Sequence, residues 1–481
     1  MTALLTPTRS TPARTLLPRV RSALPGRADT PDWIRLLAVL AVVLTGITAL
    51  VLAADARSAR HGIDVIGQHT APTVTATEDL YFALADMDAQ LANVLLAGSD
   101  STLATVRATS LTTYEQRRTQ ADADLQQAMT IATNDDAAQQ IRDLLDRFGK
   151  YQALAADTLQ LGDLDHDPAG QPSARTLDAY RSATALVPDL LTRAQKLADT
   201  NSGVLSQAYH DTEHTTTMAR VRIAVLGVLL LATLIGLQVV LRVTLRRRVN
   251  PALALTTVLA AGLLLGGFLA NGTAAQQLTV AKQDAFDSLL ALRQARAVGF
   301  SANADESRYL LDPAHADTYQ QGFFDKSQQL ASVPAHTLEE YRAALDTALT
   351  GYRPPRVPVG VDSFLGKELR NITFGGEQSA ASQALTAYQA YQHDDGVLRD
   401  RSHTDLHGAI AFDTGKSNDD FGVYDKALVA TIEINQHAFD TAIDSGQQAL
   451  SGWGNWLPYG AAVVFAVLVL LGVRPRLAEY R

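Results

Sequence analysis

The pentapeptide Asp413-Thr414-Gly415-Lys416-Ser417 ends like a phosphate-binding loop, in which backbone N–H groups cradle phosphates and the lysine reaches the outermost one. Such a loop needs a second glycine five residues before Gly415, and that position is Ile410. The pentapeptide also follows an Ala-rich helical stretch, so phosphate binding is rejected. His210/His214 and His403/His407 have i, i+4 spacing, with Asp211, Glu213 and Asp405 beside them. Two imidazoles on one helix face can hold zinc. There is no HExxH motif and no third ligand is indicated, so exposed helical histidine is the plainer reading. Arg117/Arg118, Arg293/Arg296 and Arg308 fall on predicted helices. Paired guanidiniums can clamp a carboxylate, which makes Arg293, Arg296 and Arg308 the ligand candidates. Against that stands ordinary salt-bridged arginine. With no cysteine in 481 residues, thiol nucleophiles, disulfides and Cys-ligated zinc are excluded. No catalytic constellation survives, and no cofactor or metal is expected.

The elements that must position these residues are dominated by four apolar runs: Leu36–Ala54, Ile223–Leu241, Pro251–Ala270 and Leu457–Val473. A spanning helix needs about 20 apolar residues, with a range of roughly 17–25. Trp453, Trp456 and Tyr459 crowd the start of the fourth run, as in an interfacial aromatic belt. Only Gln238 is strongly polar within the runs, which argues against ion conduction and proton pumping. Gly262-x-x-x-Gly266 in the third run and Ala232-x-x-x-Gly236 in the second suit close helix–helix packing.

The formal charge of −9 gives no basic footprint for nucleic acid. It is unevenly divided. Stretches 1–35, 242–250 and 474–481 together carry +10, and the remainder carries −19. By the positive-inside rule, both termini and the middle loop are cytoplasmic, while 55–222 and 271–456 lie outside. This is the topology of a multi-pass plasma-membrane protein, with a disordered basic leader over 1–35 near anionic lipid. A cleaved signal peptide ending near Ala54-Asp55-Ala56 is the rival reading of the first run. The run is long for that role, and cleavage would not alter the sidedness of the rest. The short cytoplasmic pieces cannot form a domain.

The order span, large outer segment, span occurs twice. Ala89–Gly98 (AQLANVLLAG) and Ala304–Pro313 (ADESRYLLDP) pair at an offset of 215, and the same offset carries the first span onto the third. Thr113-Tyr114-Glu115-Gln116 pairs with Thr318-Tyr319-Gln320-Gln321 at an offset of 205, so the first half has about ten extra residues before its Tyr. An internal duplication is the economical reading. Leu80, Leu84, Met87, Leu91 and Val94 make an a/d seam, and breaks at 98–100, 134–136 and 162–172 predict four helices in the first outer segment. Pro72 should kink the first of them or delay its start. In the second segment, Gly351–Gly376 (GYRPPRVPVGVDSFLGKELRNITFGG) is too rich in Pro and Gly for a bundle helix. It is either a plain loop or a folded protrusion that meets a partner; its Val, Leu, Ile and Phe are too apolar for a solvated linker. The fold class is therefore all-α: four transmembrane helices and two tandem extracytoplasmic helical bundles, the second with this irregular insertion.

The outer segments resemble the four-helix-bundle sensor domains of methyl-accepting chemotaxis receptors in their span–bundle–span plan and in the Leu-Leu end of the first helix (Leu95-Leu96, Leu310-Leu311). Over the whole chain the architecture is similar to the GlnX-type four-span actinobacterial membrane signalling proteins. Phe364–Glu377 (FLGKELRNITFGGE) is the best local carrier of that likeness. The resemblance implies a non-enzymatic relay, in which an outer lipoprotein binds glutamate or aspartate, the four-span chain transmits, and a cytoplasmic Ser/Thr kinase pathway responds. The expected partners are then that solute-binding lipoprotein, the kinase pathway, membrane lipids and a second copy of the chain. Phe364, Arg370, Asn371 and Phe374 are the candidate partner-binding residues. A direct small-molecule sensor and a structural envelope protein remain the alternatives.

Overall fold

A computed structural model describes residues 30–131, 135–245 and 250–478. Most of the basic leader, the Arg246–Arg248 cluster and the last residues of the tail lie outside that range. Fifteen α-helices run along the described chain, and no strand occurs among the described residues. In chain order they are α1 (Thr30–Val65), α2 (Ala71–Ala97), α3 (Ala104–Ile131), α4 (Asp135–Asp165), α5 (Ala174–Thr184), α6 (Val187–Leu245), α7 (Pro251–Thr279), α8 (Asp287–Leu311), α9 (Ala316–Leu330), α10 (Leu338–Leu349), α11 (Phe364–Asn371), α12 (Glu377–Ser402), α13 (Leu406–Phe412), α14 (Asn418–Ala449) and α15 (Trp456–Ala478). Three π-helical turns interrupt them: Ile66–Thr70, Val280–Phe286 and Asp413–Ser417.

The residues divide into two compact units. One takes the described parts of 30–59, 214–274 and 449–478. It holds four helices long and apolar enough to cross a membrane. Its core joins all four: Ile34, Ala38 and Ala41 from α1, Leu230, Leu234 and Leu237 from α6, Leu253 and Ala260 from α7, and Phe465 and Val469 from α15. The opposite faces leave Val39, Val228, Val258, Val463 and Leu470 exposed, an apolar surface that suits lipid rather than water. Gln238, the polar interruption, donates to Leu253 O at 3.2 Å and to Thr257 Oγ1 at 2.7 Å, so the amide is satisfied by the neighbouring span. Asn250 caps α7 through Ala252 N (3.2 Å) and donates to Gly472 O (2.7 Å). Gly266 lies under the Trp453 ring, where an added Cβ would come within 2.9 Å, whereas a Cβ at Gly262 would meet nothing within 4 Å.

The other unit comprises Arg60–Glu213 and Ala275–Gln448. The two outer segments, which the sequence separates into two bundles, thus come together in one compact body. They share a core of Leu80, Leu84, Met87, Leu91, Leu95 and Leu96 from the first segment with Leu310, Leu311, Leu398 and Ile410 from the second. The sequence seam over Leu80–Val94 is buried throughout. Helix ends follow local chemistry. Gly98 ends α2 at φ +53°, a conformation that suits glycine, and Asp100 caps the next turn by accepting from Thr102 N at 2.8 Å. Thr337 and Glu340 form a reciprocal capping box at α10, accepting from Glu340 N (3.2 Å) and His336 N (2.8 Å) respectively.

Candidate functional site

The first helices of the two outer segments, α2 and α8, lie side by side and run parallel. Glu78 faces Gln294 (3.1 Å), Asp79 faces Arg293, and Asn93 faces Ser307 (2.8 Å). These pairs are 214–216 residues apart, close to the offset that aligns the two halves of the sequence. The seam between the helices is therefore polar where a bundle centre would ordinarily be apolar. Such a seam is stable only when its groups are paired; each of these residues has a partner across it, although Glu78 Oε2 and Arg293 Nε are left without one. Burial pushes the Glu78 carboxyl up to about 8, against the hydrogen bond from Gln294.

A buried cation, Arg308, sits further along this seam. It donates to Asp88 on α2, to Asp305 Oδ1 at 2.8 Å and to the Tyr180 hydroxyl of α5 at 3.1 Å. Asp305 also binds Lys326 of α9. Next to this group Arg181 of α5 forms a two-pronged pair with the buried Asp312, at 3.0 and 2.7 Å, and His315 Nδ1 lies 2.9 Å from the same carboxyl. Asp88, Arg181, Asp305, Arg308, His315 and Lys326 line a cavity of about 490 Å³ whose walls also include Tyr319, Ser301 and Leu191, with Tyr180 and Asp312 behind this lining. Three cations, Arg181, Arg308 and Lys326, and two almost fully buried carboxylates, Asp88 and Asp305, line a space large enough for a small polar ligand. A ligand carboxylate could exchange with Asp312 on Arg181 or with Asp305 on Lys326.

Of the three sequence-predicted ligand residues, only Arg308 reaches this cavity. Arg293 is held by Asp79. Arg296 is held by Asp425 at 2.6 and 2.9 Å and stacks 3.9 Å over Phe82. Twelve residues of helix, roughly 18 Å, separate Arg296 from Arg308, so the three do not form one clamp. Arg117 pairs with Asp86 at 2.6 Å and Arg118 with Glu115 at 2.8 Å. Arg181, Asp312 and Lys326 escape a reading of the sequence because their partners are remote in it. The Leu-Leu ending shared by α2 and α8 is the nearest local marker of their position.

On another side of α8 lies a second buried polar group. Ser417 Oγ donates to Glu306 Oε1 at 2.8 Å, and Ser307 Oγ lies 3.3 Å from Asp413 Oδ2. Burial raises Glu306 well above the usual carboxyl range and Asp413 to about 7. The Asp413–Ser417 pentapeptide is thus a π-helical turn inside the bundle. Its Lys416 is engaged by Asp394 (2.9 Å) and Asp420 (2.7 Å), which fits the rejection of a phosphate loop. His407 Nε2 meets Asp100 at 3.1 Å and His210 lies 3.6 Å from Glu213. Among the described residues no three His, Asp or Glu side chains stand together as a metal site.

The Gly351–Gly376 segment is neither a free loop nor a long helix. Val359, Leu365 and Leu369 are buried. Gly360 N donates to Ser332 O at 2.7 Å, and Ser363 caps α11 by accepting from Gly366 N at 3.3 Å. Asn371 donates to Gln283 O (2.9 Å), Asp284 O (3.0 Å) and Ser288 Oγ (3.0 Å). Its amide is therefore spent on the chain's own π turn. Phe364 and Phe374 are half-buried and Arg370 is exposed. Phe374 borders an open cleft with Val280, Ile434 and Ala438. Arg353, Arg356, Lys367 and Arg370 all point to solvent and make no ion pair among the described residues. The segment thus exposes four cations in a unit that is acidic overall.

Residues 62–210 match a family described as an actinobacterial sensor domain. The matched stretch runs from the end of α1 into α6 and includes Asp88 and Arg181 of the charged cavity. It supports a sensor protein of actinobacterial type with a role in signalling. No curated protein and no solved structure matches the chain.

Proposed function

We propose that the chain is a non-enzymatic transmembrane signal relay, oriented with both termini in the cytoplasm and with the outer unit as its input. The match of residues 62–210 to a sensor domain, in a chain with four helices able to cross a membrane, carries the reading. Helix shifts of ~1–2 Å are a known currency for such signals. In this reading the segment Gly351–Gly376 receives an amino-acid-loaded binding lipoprotein, as the likeness to GlnX-type proteins implies. Phe364, Arg370 and Phe374 supply apolar and basic contact, and Asn371 holds the surface in place. The output passes to a cytoplasmic Ser/Thr kinase pathway through the basic tips or the spans. Deletion of residues 355–375 is expected to abolish co-purification of the lipoprotein with the intact chain from mild detergent; undiminished co-purification would remove the segment from this role.

The charged cavity favours a second reading, in which a small carboxylate ligand binds the outer unit directly. Calorimetry of the full chain in detergent with acidic amino acids separates the two. Binding that is lost in Arg181→Met supports direct sensing, and heats indistinguishable from dilution leave the lipoprotein as the ligand carrier.

A further inference from the structure

Helix α11 is short; it packs on α8, α9 and α12, reaches the π turn Val280–Phe286 through Asn371, and buries an unbalanced set of acids. Glu368 is 1% exposed, and neither of its carboxyl oxygens has a hydrogen-bond partner. Its polar surroundings are the Ser288 hydroxyl and the Glu377 carboxylate. Glu377 is fully buried and held in place: it accepts from Thr373 N (2.7 Å), Phe374 N (2.9 Å) and Asn435 Nδ2 (2.8 Å). Asp284 of the π turn is the third acid, and Glu377 acts on it too. The cations nearby are committed or turned outward. Lys282 pairs with Asp287 at 2.5 Å and Lys326 with Asp305, while Lys367 and Arg370 of α11 face solvent. The remaining ionisable groups of α9 and α14 near this face, Asp317, Asp325, Glu433 and His437, are exposed. A buried carboxylate beside a second one with no cation is strongly disfavoured, and one of the pair takes up a proton.

We propose that α11 is a proton-coupled latch on the second π turn, docked while Glu368 is neutral and released as Glu368 ionises. A π turn replaces i→i+4 bonds with i→i+5 bonds, as where Asp287 N donates to Lys282 O. Asn371, three residues after Glu368, supplies donors to two carbonyls of the turn, at Gln283 and Asp284. Docking of α11 thus adds side-chain donors to the π turn, and its release withdraws them. Burial first, and Glu377 second, push Glu368 up to about 8 from 4.5. Because the docked value is the raised one, docking is fully supported below 4.5 and weakens as pH rises toward 8. The inference concerns regulation of the surface proposed above as a receiving face, but its readout needs no partner, so the two can fail separately.

Hydrogen exchange of the intact chain in lipid nanodiscs tests it. Protection of amides 364–371 and 284–288 is expected to fall together between about pH 5 and about pH 8, by up to about tenfold per pH unit beyond the intrinsic rate change. Glu368→Gln is expected to keep both segments protected and flatten the dependence. Asn371→Ala is expected to expose 284–288 at every pH. An infrared band of a protonated carboxyl that titrates in wild type and is missing from Glu368→Gln gives an independent reading. Unchanged wild-type protection across this range, or the same pH dependence in Glu368→Gln, would overturn the latch.

Discussion

The two outer segments carry the same irregularity at matching places and support it by opposite means. In the first, the π turn Ile66–Thr70 sits directly before Pro72. A proline within a helix removes one donor and crowds the carbonyl a turn earlier, and widening of the preceding turn accommodates it. The carbonyl four residues before Pro72 belongs to Gln68, and threonines on either side bond back along the helix: Thr73 Oγ1 donates to His69 O at 2.7 Å, and Thr70 Oγ1 lies 3.3 Å from Val65 O. In the second, the turn Val280–Phe286 contains no proline. It is held from outside by Asn371, a residue about 85 positions further along the chain. The first irregularity is thus written locally and is permanent. The second depends on a tertiary contact and can be withdrawn, so the half carrying the insertion is the half built to switch.

The largest expected effect tests what both halves share. Arg308→Met leaves Asp88 without its buried partner and weakens the hold on Asp305, and should destabilise the outer unit by about 3–5 kcal/mol, read by denaturant unfolding of the intact chain. A loss under ~1 kcal/mol, typical of an exposed pair, would mean that the polar seam does not join the halves. Gly366→Ala places a methyl against the Gly360 carbonyl and should cost about 1–3 kcal/mol, with the effect confined to the second half in hydrogen exchange.

The direct comparison is Asn371→Ala against Pro72→Ala. Loss of the amide withdraws its side-chain donors from the π turn and should cost about 1–3 kcal/mol. Removal of the proline should be neutral or stabilising, bounded by the roughly 3 kcal/mol that proline costs in a helix interior. Equal signs from thermal melts of the two variants would erase the distinction between a local and a withdrawable turn. The smallest effect concerns pH. Asp413 is raised to about 7 and Glu78 to about 8 by burial, so each favours the folded unit below its ordinary carboxyl range and gives up that contribution as pH rises through its raised value. Thermal midpoints should drift downward between about pH 5 and about pH 8, and Asp413→Asn should lessen the drift.

The spans were legible in the sequence because hydrophobic runs of bilayer length have few other uses. The a/d seam of Leu80–Val94 and the stop at Gly98 were legible because each depends on residues within a turn or two. Pro72 announced the first irregular turn for the same reason. The second gave no local sign, since its cause lies in Asn371, and a side-chain amide in a Gly-rich loop reads as a contact for a partner. The arginines misled in a similar way. Arg293 and Arg296 carry the spacing of a clamp, but their charges are answered by Asp79 and Asp425, remote in sequence and invisible to a reading of spacing. The division into two bundles likewise followed the order of the chain, whereas shared burial of Leu95, Leu96, Leu310 and Leu311 draws both segments into one unit.

The central claim is that an outer event reaches the cytoplasm through this chain. The most direct measurement compares phosphorylation of cytoplasmic Ser/Thr kinase substrates in cells that carry the intact chain, cells that lack it, and cells whose copy lacks residues 355–375. The relay predicts that substrate phosphorylation changes on removal of the chain and that the 355–375 deletion reproduces the change while the protein stays in the membrane. Identical phosphorylation in all three would contradict it and leave a structural envelope protein as the better account.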